Sequence, residues 1–159
     1  MLLQFYGVAS SLKEVADEFS STFMSKSFNE WYTHSLDSNK YEENAMLCCA
    51  QFMLEEKYPG LNAGIVLSTV EKTKLSYIKR RIPVIVTGRF PLLSGKIPNT
   101  VLVKGYIDKY MIVNDPRGNA NTGYVDRYGE NMVYSVDDLS RWTTYGDSVY
   151  LLRAIVGNK

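Results

Sequence analysis

A chain of 159 residues and 18.1 kDa has the size of one domain, 1–159, able to bury about 70% of its unfolded surface. Hydrophobic residues make up 45% and charged residues 22%, which excludes a disordered chain. The formal net charge of +1 gives no electrostatic case for nucleic acid or an anionic membrane as partner.

In chain order, the apolar start MLLQFYGVASS lacks a basic flank and a small-residue cleavage site, so it does not read as a secretion signal. No apolar run approaches the roughly 20 residues that span a bilayer, and a cytoplasmic compartment is expected. Gly7 should end any short helix over Met1–Tyr6. Ser11-Leu12-Lys13-Glu14 is a capping box, in which hydroxyl and carboxylate each satisfy a free backbone N–H. Behind it Leu12, Val15, Ala16, Phe19 and Phe23 recur at helical spacing. A second helix is expected over Tyr41–Lys57, ended by Pro59-Gly60, with Ala45, Met46, Cys49, Phe52 and Met53 inside. A third starts at the box-like Ser68-Thr69-Val70-Glu71 and runs to about Arg80. The basic run Lys72, Lys74, Lys79, Arg80, Arg81 on it reads as a solvated face. Adjacent Cys48 and Cys49 on one helix do not make a disulfide framework and point to a reducing interior.

The second half reads as sheet, with strands at Pro83–Gly88, Val101–Tyr106, Tyr110–Asn114, Met132–Ser135 and Ser148–Val156. The first two flank what reads as a Gly/Pro loop, and the next pair turns at Ile107-Asp108-Lys109, as an antiparallel hairpin does. A further helix after Ser135, with Asp138 three residues on, carries Leu139 and Trp142. Helices first and antiparallel strands afterwards predict an α+β fold.

Four motifs in order carry a family resemblance. Met1-Leu2-Leu3-Gln4-Phe5-Tyr6-Gly7-Val8 with Ser11-Leu12-Lys13-Glu14-Val15-Ala16 looks like the tail of a nucleophile helix. Ile82-Pro83-Val84-Ile85-Val86 and Asn99-Thr100-Val101-Leu102-Val103-Lys104-Gly105-Tyr106 look like a paired strand and a base-bearing strand. Ile112-Val113-Asn114-Asp115-Pro116-Arg117-Gly118 ends in an acid-proline turn. Together they resemble the double-glycine (bacteriocin-processing) peptidases of the papain-like cysteine peptidase superfamily. The resemblance implies a papain-like α+β fold with Asp115 as the acid that orients an imidazole. It also implies a catalytic cysteine upstream of Met1, and Asn99 where the histidine stands. Asparagine does not titrate, so it cannot act as general base near neutral pH.

One rescue is conceivable from the residues: Cys48 or Cys49 as nucleophile, with the single histidine, His34, as base beside Asp37 or Glu43. Both cysteines fall mid-helix on an apolar stripe, where cysteine is commonly a small hydrophobe. Asp108, Asp115, Asp126, Asp137 and Asp138 fall in turns or helix starts, where aspartate serves the backbone. No metal-binding pattern is present and no cofactor is implied.

The expected function is therefore that of a catalytically inactive cysteine-peptidase-like domain, a pseudoenzyme acting through binding or as a structural protein. Relatives of this kind resemble small phage-encoded or bacterial proteins, which implies the cytoplasm, virion or host cytoplasm as its place. A protein partner is expected, and either it or another chain segment should fill a groove beside the Val101–Asn114 hairpin. The Gly-, Asn- and Tyr-rich loop Arg117–Asn131 offers Arg117, Tyr124, Arg127 and Tyr128 as a binding surface. The alternatives are an active thiol hydrolase using Cys48 or Cys49 with His34, and a fragment of a longer peptidase.

Overall fold

The computed structural model describes residues 12–35, 45–145 and 148–156. They fall into two compact units, Met1–Ile65 with Ala154–Lys159, and Val66–Arg153. The Ser11 cap, the Gly7 break and the first turn of the expected Tyr41–Lys57 helix lie outside the described residues.

The first unit is helical. Helix α1 (Leu12–Phe23) follows the expected apolar spacing, with Phe19 half-buried, although Ala16 faces solvent. Helix α2 (Lys26–Ser35) was not expected, yet its start carries an ordinary signal: the Ser25 hydroxyl oxygen accepts from the Phe28 N–H at 3.0 Å. Helix α3 (Ala45–Lys57) ends where Pro59 follows. Of the residues expected inside, Cys49 and Met53 are buried and Ala45 and Phe52 half-buried, while Leu47, Cys48 and Leu54 are buried beside them. The three helices meet over aromatic rings. Phe28 lies 5.5 Å from Tyr32, 5.8 Å from Phe52 and 6.1 Å from Trp31 between centroids. Such pairs add about 0.5–1.5 kcal/mol each beyond their burial. Strand β1 (Leu61–Ser68), with Leu61 and Ala63 inward, was masked in the sequence by its Asn62 and Gly64.

The second unit begins with α4 (Val70–Ser76), capped by Thr69, whose hydroxyl oxygen accepts from the Lys72 N–H at 3.2 Å. The helix is shorter than expected, because the chain tightens into a 3₁₀ turn at Ile78–Arg80 and leaves through left-handed Arg81, φ 59°. Lys72, Lys79, Arg80 and Arg81 are solvated as read, but half-buried Lys74 donates to the Asp108 carbonyl at 2.6 Å over the Tyr106 ring.

Strands β2 (Val84–Leu92), β3 (Gly95–Ile107), β4 (Tyr110–Asn114) and β5 (Met132–Ser135) form antiparallel neighbours. Helix α5 (Val136–Thr143) and strands β6 (Thr144–Tyr145) and β7 (Ser148–Val156) follow, β7 pairing β2 and β6 pairing β7. N-terminal helices followed by an antiparallel sheet make the fold α+β, as the sequence predicts.

The stretch read as a Gly/Pro loop is instead a hairpin arm, with Leu92 opposite Gly95 across a turn at Leu93-Ser94. Prolines 91 and 98 are tolerated because this arm lies beyond the reach of β7 and β4, whose pairing covers Val84–Val86 and Leu102–Ile107. The β3–β4 turn is at Asp108-Lys109 as expected, with Asp108 at φ 52°.

One face of this sheet packs inward. Val84, Val86, Phe90, Val101, Val103, Met111, Val113 and Tyr134 are buried against Val136, Leu139 and Trp142 of α5. The side-chain period of 2 continues that face to Asn99, two before Val101, and to Asp115, two after Val113. Gly88 is paired with Asn99, and α5 ends directly on it: a Cβ there would overlap the Trp142 carbonyl. On β5, the Asn121 amide donates to the Val133 carbonyl at 3.0 Å, capping part of an exposed strand edge.

Candidate functional site

Strand alternation delivers Asn99 and Asp115 to the same inner face, and both are buried, at 8% and 3% exposure. A buried carboxylate must find donors or it is expelled. Asp115 finds four. Its Oδ1 accepts from the Asn99 Nδ2 at 2.8 Å and from the Arg117 backbone N–H at 2.9 Å. Its Oδ2 accepts from the Tyr134 hydroxyl at 2.9 Å and the Tyr124 hydroxyl at 3.1 Å. The second Asn99 N–H reaches the Tyr124 hydroxyl oxygen at 2.8 Å, closing a ring of three side chains. The Tyr134 oxygen in turn accepts from the Ala120 N–H at 3.0 Å.

The loop after β4 is folded to allow this. Asp115 donates its N–H to the Gly129 carbonyl at 2.7 Å, and Asn119 donates to the Asp126 carbonyl at 2.9 Å. Position 129 must be glycine, because a Cβ would overlap the Asp115 carbonyl oxygen. Gly123 at φ 61° and Tyr124 at φ 66° form a left-handed bend, and Tyr124 is buried with its hydroxyl on Asp115. Burial, then the Asp115 charge, hold the Tyr124 phenol well above its ordinary value; for Tyr134 burial dominates in the same direction. Both are neutral donors.

A carboxylate has about four lone-pair positions, and here each has a donor. The group opposite the acid is an amide, which orients and donates but does not carry protons in the physiological range. The arrangement can pin a loop; it offers no acid–base pair.

The structure therefore brings Asn99 and Asp115 together, as the resemblance implies, and adds Tyr124 and Tyr134. Tyr124 was expected on the binding surface, and that is corrected: it is buried at 3% exposure inside the cluster. Arg117, Arg127 and Tyr128 do stand exposed on the loop. Tyr134 carried a usable signal, since a tyrosine on the inner face of a strand needs an acceptor for its hydroxyl.

Cys48 and Cys49 are free thiols and fully buried. Desolvation pushes both from the ordinary 9.0 up to about 11, with the neighbouring Cys48 adding to it for Cys49. The Cys49 thiol faces the Phe19 carbonyl at 3.7 Å. Such thiols are almost wholly protonated at neutral pH, the opposite of an activated nucleophile. His34 lies on α2, and its side chain is outside the described residues.

Residues 1–150 match the protein-family model described as the Peptidase_C39 like family. The chain belongs to the Peptidase_C39-like family. No curated protein matches it. Membership in this family makes the chain a cysteine-peptidase-like domain, in keeping with the order of its motifs. Among the described residues no group of His, Cys, Asp and Glu is placed to hold a metal ion, and no helix is long and apolar enough to cross a membrane.

Proposed function

We propose that this member of the Peptidase_C39-like family does not perform peptide hydrolysis and acts through binding. The observation that carries the reading is the Asn99–Asp115 contact at 2.8 Å. An amide fills the place beside the acid that the resemblance gives to an imidazole. The rest of the carboxylate is taken by Arg117, Tyr124 and Tyr134.

A cysteine peptidase needs a thiolate and a base that shuttles its proton. Losing one member of such a unit costs several orders of magnitude in rate. The buried, protonated state of Cys48 and Cys49 speaks against a substitute nucleophile on α3. What the acid does instead is hold the 115–129 loop, which carries exposed Arg117, Arg127 and Tyr128 to solvent.

The test is labelling of the native chain with an electrophilic thiol-directed peptidase probe. Labelling of the native chain far slower than that of the denatured chain is expected. Rapid, stoichiometric labelling of the native chain at Cys48 or Cys49 would show an activated thiol and end the proposal.

A further inference from the structure

The net charge of +1 hides an uneven division. Val66–Arg153 holds thirteen Lys and Arg against eight Asp and Glu, and the other unit holds five against nine. Within the basic unit the surplus is local: from Lys72 to Lys109 nine cations meet a single acid, Asp108. Little of it is neutralised inside the fold. Among the described residues the one ion pair of this unit is Arg141–Asp138 on α5, whereas three fall in the helical unit.

Register gathers much of this charge at one end of the sheet. Strand β2 enters at Val84, opposite Val103, so the chain leaves the 3₁₀ turn through Arg80 and Arg81 at the end where β3 runs on to Ile107. That turn packs on β3. Lys74 ties α4 to the same end, with its Nζ on the Asp108 carbonyl and 5.2 Å from the centre of the Tyr106 ring. Lys109 lies in the β3–β4 turn, its ammonium 5.8 Å from the centre of the Tyr110 ring.

Apolar surface is interleaved with these cations. Residues 106–110 are all exposed, and Ile107, at 63%, stands directly opposite Tyr110. Strand alternation carries the same face through half-buried Ile112 to its partner Val133, 47% exposed. A single-stranded nucleic acid would use the tyrosines as stacking platforms, but each ring already has a lysine ammonium over it, and a phosphate backbone gains nothing from an exposed isoleucine. An anionic bilayer uses every part of the surface. Its headgroups take the lysines and arginines, tyrosine settles at headgroup level, and isoleucine reaches the acyl boundary.

We propose that this end of the sheet docks on an anionic lipid surface as a peripheral contact. Lys79, Arg80, Arg81, Lys104 and Lys109 meet the headgroups, and Ile107 enters the boundary beneath them. This extends the reading of the chain as a binding domain without depending on it.

The test is co-sedimentation of the full chain with vesicles of phosphatidylcholine alone, and with about 30% phosphatidylserine, at about 0.1 M and 0.5 M salt. Binding is expected to the anionic vesicles only, and at least about tenfold weaker at the higher salt. Arg80→Glu with Lys109→Glu, both at exposed side chains, should weaken it by more than about tenfold. Ile107→Ser should weaken it at least about fivefold with the melting temperature unchanged. No sedimentation with anionic vesicles, equal binding to neutral ones, or an unaltered response in Ile107→Ser would overturn the proposal. So would binding of a single-stranded oligonucleotide or of polyglutamate as tightly as the vesicles, since charge alone would then decide. Vesicle binding is read without reference to hydrolysis. Its failure leaves the inactive-domain reading standing, and turnover of a peptide would leave the lipid contact standing.

Discussion

Replacing Asp115 by alanine removes one acceptor from four donors at once. The Arg117 N–H belongs to an exposed residue and turns to water, and the Tyr134 hydroxyl has the Gly118 carbonyl at 3.3 Å as a second acceptor. One Asn99 N–H and the Tyr124 hydroxyl are left buried without a partner. At about 1–3 kcal/mol for each orphaned group, less the desolvation cost that the lost charge no longer exacts, the net loss is about 3 kcal/mol. For a chain of this size that lowers the melting temperature by roughly 10 °C. Amide hydrogen exchange at Val101, Val103 and Val113 reads the opening of the Val66–Arg153 unit, and protection there should fall by about two orders of magnitude. Asp115→Asn is the control. With its oxygen toward Asn99 and Arg117 and its amide donating to the two hydroxyl oxygens, it leaves the Tyr124 O–H as the one donor without an acceptor and should cost about 1–2 kcal/mol. If alanine costs less than about 1 kcal/mol, or if asparagine costs as much as alanine, the four hydrogen bonds on Asp115 do not hold the loop.

Three further outcomes follow from the same geometry. Gly129→Ala drives a Cβ into the Asp115 carbonyl and should separate the two ends of the loop, costing more than about 2 kcal/mol by urea denaturation; a neutral result would mean the close approach is not needed. The thiols of Cys48 and Cys49 and the phenols of Tyr124 and Tyr134 all have raised values in the fold. The native state holds these protons more tightly, so their contribution is complete below 9.0, the ordinary thiol value, and is lost as pH rises through about 11 for the thiols and beyond. The urea midpoint should be level from about pH 7 to 8.5 and then decline, and a flat profile to pH 10.5 would contradict the burial assigned to these groups. Iodoacetamide should modify Cys48 and Cys49 slowly in the native chain at pH 7.5 and at least about a hundredfold faster in denaturant. Comparable rates in the two states would place the thiols at the surface.

Much of the second unit could be read from residue order. Tyr110–Asn114, Met132–Ser135 and Ser148–Val156 emerge with the bounds that alternation predicts, because each is a short strand bracketed by turn residues. The Ser135–Asp138 cap is equally local: the Ser135 oxygen accepts from the Asp138 N–H at 3.0 Å. The hairpin arm through Pro91 and Pro98 was hidden, since its prolines are acceptable only where neighbouring strands fall short. Helix α2 was hidden for another reason. Its stability comes from ring packing around Phe28 rather than from a clean polar face.

For the site, alternation and the family resemblance point to the same pair, Asn99 and Asp115. Of the two tyrosines that complete it, Tyr134 is legible from its place on the inner face of a strand and Tyr124 is not. Tyr124 depends on two successive left-handed residues, a conformation that tyrosine itself disfavours, so a surface position was the natural expectation.

The most direct measurement is hydrolysis of a fluorogenic double-glycine peptide by the purified full chain, followed across pH 5–9 with and without reductant. For an inactive domain the rate should be indistinguishable from buffer at every pH and unchanged by Cys48→Ser with Cys49→Ser. Thiol-dependent turnover with a pH profile, abolished by those substitutions or by His34→Ala, would show an active peptidase instead.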